Sequence, residues 1–228
     1  MMYTLYYNGQ ITLEKFNSDT LYANAKLELM KIELDSTNNY SFNFKTSNFR
    51  LGEKTNNPYQ LAASKKGQHI HFIINNNPYS AHYNPVVNKK LAESNNVILA
   101  FLARSFHESI KNNDAFYAAR ISNNNNQLIQ TKIEDAVLFY SRPKGTYSLE
   151  DSKKILLDFY IVNEQLLPEY NINVSIDNQT LNVDTWSPFV IEGLKPGTHK
   201  IKIEITNQQG EKIDMPFNPS ERTFVVTD

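Results

Sequence analysis

The 228-residue sequence contains no cysteine. That excludes disulfides, thiolate metal centres, thiol nucleophiles and lipidated cysteines in the chain as given. Glycine is scarce, with seven in all, which leaves little material for phosphate-cradling loops. No P-loop, dinucleotide fingerprint, Gly-x-Ser-x-Gly elbow or His-Glu-x-x-His helix is present. Neither charge sign dominates: 23 Lys and Arg stand against 24 Asp and Glu, with no basic stripe, so nucleic acid is not an expected partner. No apolar stretch approaches the roughly 18 residues of a helical membrane span. The start, Met1 to Tyr7, lacks the basic region and apolar run of a signal peptide.

What the chain does have is aromatic and β-branched material arranged with period two. It carries 13 Tyr and 13 Phe. Segments 26–32 and 40–44 alternate, and 69–74 and 96–103 follow. The last is apolar on both faces and is expected at the centre of a sheet. Segments 115–121 and 128–132 read as the arms of a hairpin around Asn123 to Asn126. Helical turns are expected only over 106–112 and 11–25. After Ser141-Arg142-Pro143-Lys144-Gly145 the strand pattern restarts, at 155–162, 173–176, 189–191, 199–205 and 222–226. The Pro196-Gly197 turn feeding the strand from His199 has the form of a late strand in immunoglobulin-like modules. The two halves echo each other: strand, Asn-containing turn, Pro-aromatic pair, long strand. Short strands separated by turn signals indicate sandwiches rather than βαβ units. The expected fold is all-β, two tandem immunoglobulin-like β-sandwich domains. The boundaries are an N-terminal arm over 1–22, a first sandwich over 23–145 and a second over 146–228.

Four of the five histidines, His69, His71, His82 and His107, fall within or soon after one strand, Gly67-Gln68-His69-Ile70-His71. Successive strand side chains point to opposite faces, so His69 and His71 share one. Neutral imidazole is a common ligand for Zn and Cu. His82, after the turn, is a candidate third ligand if its segment pairs beside the motif strand, and His107 a candidate fourth. The bland alternative is ordinary cross-strand hydrogen bonding. Tyr79, Tyr83, Tyr140, Tyr147 and Trp186 lie next to turns, where aromatics stack on sugar rings or anchor a partner; packing against the sandwich rim or core competes, and is favoured for Trp186. Arg104, Arg142 and Lys144 are three separated basic residues and read as solvated surface.

The motifs Gly67 to His71, Asn76-Asn77-Pro78-Tyr79, Ala100 to Ser109, Leu138 to Gly145 and Pro216-Phe217-Asn218 resemble a family of Bacteroidota cell-envelope proteins. Its members are often lipoproteins, and some carry the label phosphopeptide-binding. Members typically begin with a lipoprotein signal and an anchoring cysteine, which this sequence lacks. The resemblance implies an envelope location, periplasmic or surface-exposed, and two immunoglobulin-like domains, but no activity. The expected function is therefore a non-enzymatic envelope binding or accessory protein, with another envelope protein or complex as partner. One alternative is a Cu- or Zn-binding sandwich using the histidines. A second is a carbohydrate-binding module, which predicts a row of exposed aromatics on one face.

Overall fold

The period-two patterning is realised in a computed structural model that describes residues 11–18, 20–37, 39–91, 95–124 and 127–228. The described residues contain strands and two single-turn 3-10 segments. They divide into two units. The N-proximal unit comprises the described residues of Asp19–Asn56 and Ala63–Glu134. The C-proximal unit comprises Asn57–Ala62, Asp135–Asp228 and the described residues of Met1–Ser18.

The described part of the expected N-terminal arm holds a strand, β1 (Thr12–Lys15), and no helical turn. It is not an appendage. Residues 11–18 belong to the C-proximal unit, where the apolar side chains of Ile11 and Leu13 are buried in the core, and residues 20–22 belong to the N-proximal unit.

The N-proximal unit is built from β2 (Lys26–Leu34), β3 (Asn39–Ser47), β4 (His69–Ile74), β5 (Ser80–His82), β6 (Val86–Lys90), β7 (Asn96–Ala103), β8 (Phe116–Asn124) and β9 (Gln127–Thr131). These form a three-stranded sheet, β2-β3-β6, and a five-stranded sheet, β5-β4-β7-β8-β9. Tyr40, Phe42 and Phe44 alternate on β3 and bury one face of the smaller sheet. They meet Ile70 and Phe72 of β4 and Ile98, Ala100 and Leu102 of β7. The Phe42 and Phe72 rings lie 4.9 Å apart. Burial of each such ring contributes roughly 1.5–3 kcal/mol, so this aromatic seam is a large share of what holds the two sheets face to face. β2 alternates only in part because its register shifts between Leu29 and Lys31, which turns Met30 out to solvent. β7 is buried along its whole length and lies between β4 and β8, the central position its apolar run implies. The hairpin of β8 and β9 is present, with two of its loop asparagines, Asn125 and Asn126, outside the described residues.

The C-proximal unit continues with β10 (Val137–Arg142), β11 (Gly145–Tyr147), β12 (Ile155–Val162), β13 (Tyr170–Ile176), β14 (Gln179–Val183), β15 (Phe189–Glu192), β16 (Gly197–Asn207) and β17 (Ser220–Val226). Its sheets run β1-β15-β12-β10 and β11-β17-β16-β13-β14. Leu157, Phe159 and Ile161 of β12 pack with Ile172 and Val174 of β13 and Ile201, Ile203 and Ile205 of β16. The division between units falls at Glu134 and Asp135, not at Gly145. Strand β10 pairs with β12, so the Pro143-Lys144-Gly145 turn joins two strands of one unit instead of two domains.

A candidate three-histidine metal centre

Strand β4 carries two chemistries on its two faces. Ile70 and Phe72 enter the core, while His69 and His71 point to the opposite face. There they lie in register with Ala103 and Phe101 of β7. Both histidines are fully buried.

The strand starts from a tight approach of backbone to backbone. The Gly52 N–H donates to Gln68 O at 2.8 Å and the Gln68 N–H to Glu53 O at 2.7 Å. Gly67 sits between these bonds at φ +84, and a Cβ there would stand 2.4 Å from Gly52 O and 2.5 Å from Glu53 O. Only glycine fits. The carbonyl of that glycine accepts a hydrogen bond of 2.8 Å from His69 Nδ1. A carbonyl can only accept, so Nδ1 carries the proton. In the neutral ring Nε2 therefore presents a lone pair.

His107 arrives from the turn that ends β7, where Ala103 bridges to Ser109. Helical backbone is not formed over 106–112, because His107 adopts the left-handed conformation, φ 72. The turn is closed by the Arg104 N–H to Glu108 O at 2.9 Å and the His107 N–H to Arg104 O at 2.8 Å. Arg104 Nε and Glu108 Oε2 form a buried ion pair at 3.0 Å, and the guanidinium lies over the Tyr22 ring. Ser105 is fastened to Thr55 by a pair of bonds, Thr55 N–H to Ser105 Oγ at 2.7 Å and Ser105 N–H to Thr55 Oγ1 at 3.2 Å. Arg104 is thus an internal brace, not the solvated cation its sequence context implies.

The result is a convergence of ring nitrogens. His69 Nε2 is 2.9 Å from His71 Nε2 and 3.0 Å from His107 Nδ1. His71 Nε2 is 3.3 Å from His107 Nδ1. Nitrogens held about 2.0–2.1 Å from one tetrahedral ion stand roughly 3.3–3.4 Å apart. The cluster meets that separation after outward shifts of a few tenths of an ångström. The rings are locked by neighbours: Tyr79 stacks on His71 with centroids 3.5 Å apart and planes 12° apart, Phe101 meets His71 edge-on, and Tyr83 covers His69.

His82 does not join this cluster. Its segment pairs beside β4 as the metal reading requires, but in a register that sets His82 opposite Ile70, on the core-facing side of the sheet. One residue of offset decides the face. His82 Nε2 lies 2.9 Å from Ser80 Oγ, and its ring is edge-on to Phe72. Burial, with smaller contributions from the Lys89 and His69 charges, pushes its pKa down to about 4.

The other singled-out residues have structural positions. Tyr140 is buried and donates to Pro143 O at 2.7 Å. Tyr147 Oη accepts from Arg142 Nη1 and from the Lys144 N–H. Burial and the Arg142 charge lower the Lys144 pKa to about 8. Trp186 packs against the C-proximal core and donates its indole N–H to Phe159 O at 3.0 Å. Sequence reasoning missed two contributors, Gly67 and Tyr79 as a neighbour of the histidines. The signal for Tyr79 is parity: Ser80 pairs with Phe72, so the preceding residue falls on the histidine face.

No protein-family model matches this chain, and no curated protein matches it. Among solved structures it is similar to the fibronectin(III)-like modules of Clostridium thermocellum CbhA, at 9% identity and a TM-score of 0.32 over 86% of this chain and 94% of that one. It is similar to the Bacteroides ovatus mixed-linkage glucan utilization locus protein SGBP-B, solved with a mixed-linkage heptasaccharide, at 7% identity and a TM-score of 0.26 over 93% and 71%. It is also similar to the two tandem V-type regions of the chitin-binding protein VCBP3, at 8% identity and a TM-score of 0.26 over 90% and 99%. The chain is an all-β protein of sandwich units.

Proposed function

We propose that this chain is a non-enzymatic metal-binding protein whose N-proximal unit holds one Zn or Cu ion through His69, His71 and His107. The observation that carries the reading is the convergence of His69 Nε2, His71 Nε2 and His107 Nδ1 within 2.9–3.3 Å of one another. Hydrogen bonding alone accounts for it poorly. With Nε2 of His69 an acceptor, either two N–H groups converge on one lone pair or, where His107 Nδ1 is unprotonated, two lone pairs face each other at 3.0 Å. An ion at the centre takes a lone pair from each ring instead. The Gly67 carbonyl then acts as the outer partner that orients a ligating imidazole. The left-handed His107, stabilised by a buried ion pair, is the kind of local strain that clusters at functional sites.

The carbohydrate reading lacks its expected surface. Tyr79, Tyr140 and Tyr147 are buried and Tyr83 and Trp186 half-buried, so they do not make an exposed row. Among the described residues, no helix is long and apolar enough to cross a membrane. The motif resemblance supports placing the metal protein at the cell envelope, with an envelope protein or complex as its partner.

The test is elemental analysis of protein produced without a histidine tag and loaded with Zn or Cu. One ion per chain is expected, lost in a His69→Ala/His71→Ala variant and retained in His82→Gln. Trace metal in the loaded protein, or full retention by the double variant, overturns the reading.

A further inference from the structure

We infer that Tyr79 supplies the fourth donor of the three-histidine centre, making it an N3O site that takes copper(II). This rests on the three-histidine reading and adds to it the identity of the ion and of its oxygen ligand.

Tyr79 is buried, and its hydroxyl oxygen lies 3.3 Å from His107 Nδ1. That is the separation expected of two donors on one tetrahedral ion. The same ring lies flat on His71, 3.5 Å from centroid to centroid. The phenol is therefore held against two of the three imidazoles at once, stacked on the His71 ring with its oxygen beside His107 Nδ1. The backbone explains the placement. Asn75 and Asn76 take left-handed conformations at the β4–β5 turn, and Tyr79 follows immediately before β5. The Phe72–Ser80 pairing then puts it on the histidine face.

The donor set specifies the chemistry. It offers three neutral nitrogens and one oxygen that becomes an anion when the O–H proton is released to solvent and the oxygen–metal bond forms. No electron is transferred in that step. No carboxylate belongs to the cluster found among the described residues, and the chain has no thiolate. Imidazole donors suit both Zn and Cu, and among divalent first-row ions a nitrogen and oxygen site binds copper(II) most strongly.

The experiment uses the full untagged chain, stripped of metal and titrated separately with copper(II) sulfate and zinc sulfate. Wild type, Tyr79→Phe and His69→Ala/His71→Ala are compared, with circular dichroism confirming the fold of each. Phenylalanine keeps the stack on His71, so Tyr79→Phe removes the oxygen without removing the ring. Expected in the wild type is one copper(II) with a visible phenolate-to-copper charge-transfer band. In Tyr79→Phe the band vanishes and copper affinity falls at least ten-fold, while zinc affinity falls less. Copper bound at the histidines without such a band, or a band that survives Tyr79→Phe, overturns the role of Tyr79 and leaves the three-histidine centre standing. No bound metal, or binding undiminished in the histidine double variant, overturns both.

Discussion

The five-stranded sheets of the two units share the order of four strands, differ at the fifth, which is antiparallel β9 in one and parallel β11 in the other, and differ in what they bury. One runs β5-β4-β7-β8-β9 and the other β14-β13-β16-β17-β11. In each, a short hairpin partner flanks an inner strand, which pairs with a long one. On β13 the alternation is clean: Ile172, Val174 and Ile176 are buried, and Asn171, Asn173 and Ser175 are half-buried. On β4 both faces are buried, and the second face carries His69 and His71. The shared four-strand arrangement therefore forms without an imidazole pair, and the pair is not there to make the sheet. The C-proximal histidine shows the contrast. His199 Nδ1 is 2.8 Å from Asp177 Oδ2 and its Nε2 2.8 Å from Lys195 O, so both ring nitrogens serve a turn. In the N-proximal unit three rings direct nitrogens at one another.

The largest test of this contrast is at glycine. Gly67→Ala puts a methyl group 2.4–2.5 Å from two backbone oxygens that adjacent hydrogen bonds hold in place. The expected cost is about 3 kcal/mol or more, from steric overlap added to a left-handed alanine. Gly145→Ala in the C-proximal unit also has positive φ, but nothing lies within 4 Å of its Cβ. Its expected cost is only ~1 kcal/mol. Urea unfolding of the two variants measures the difference. Equal losses would show that the Gly67 approach does not underpin the histidine strand.

Metal should separate the units as well. At a free ion concentration 100 times the dissociation constant, binding to the folded state alone stabilises by about 2.7 kcal/mol. Hydrogen exchange read amide by amide should show added protection in β4, β7 and the Arg104–Glu108 turn, with β13 and β16 unchanged. His199→Ala should leave that response intact. Protection spread evenly over both units would break the assignment of the site to one of them.

Much of this was legible in the amino-acid order. Strands β4, β7 and β12 match their apolar runs residue for residue, because a strand buried on both faces needs no partner to reveal it. The His69–His71 pair followed from alternation alone. His107, expected as a fourth candidate, takes the third place in the cluster, delivered by a turn conformation that no periodicity reports. His82 was misassigned by one step of parity: adjacency to β4 was foreseen, but the face depends on register. The domain boundary differs because β1 joins the C-proximal unit by pairing with β15, far along the chain, and β10 joins it by pairing with β12 across the Pro143–Gly145 turn. The turn signal at Pro143 and Gly145 marked a chain reversal, and a reversal inside a sheet reads the same as one between domains.

The smallest expected effect concerns the histidine that the site leaves out. Burial, followed by the Lys89 and His69 charges, holds the His82 pKa down at about 4, against an ordinary value of 6.5. The folded state thus disfavours the charged ring. The stability this contributes is fully present above pH 6.5 and is lost as the pH falls from 6.5 through about 4. Since the ring is partly exposed and water screens it, the slope stays below ~1.4 kcal/mol per pH unit. His82→Gln replaces the ring with an amide that does not titrate and still reaches toward Ser80. Urea midpoints at pH 7 and pH 5 should differ less in the variant than in the wild type, with the excess confined to the N-proximal unit. An identical acid response in both proteins would mean that His82 is hydrated like a surface histidine, and that its place on the core side of β5 carries no energetic penalty.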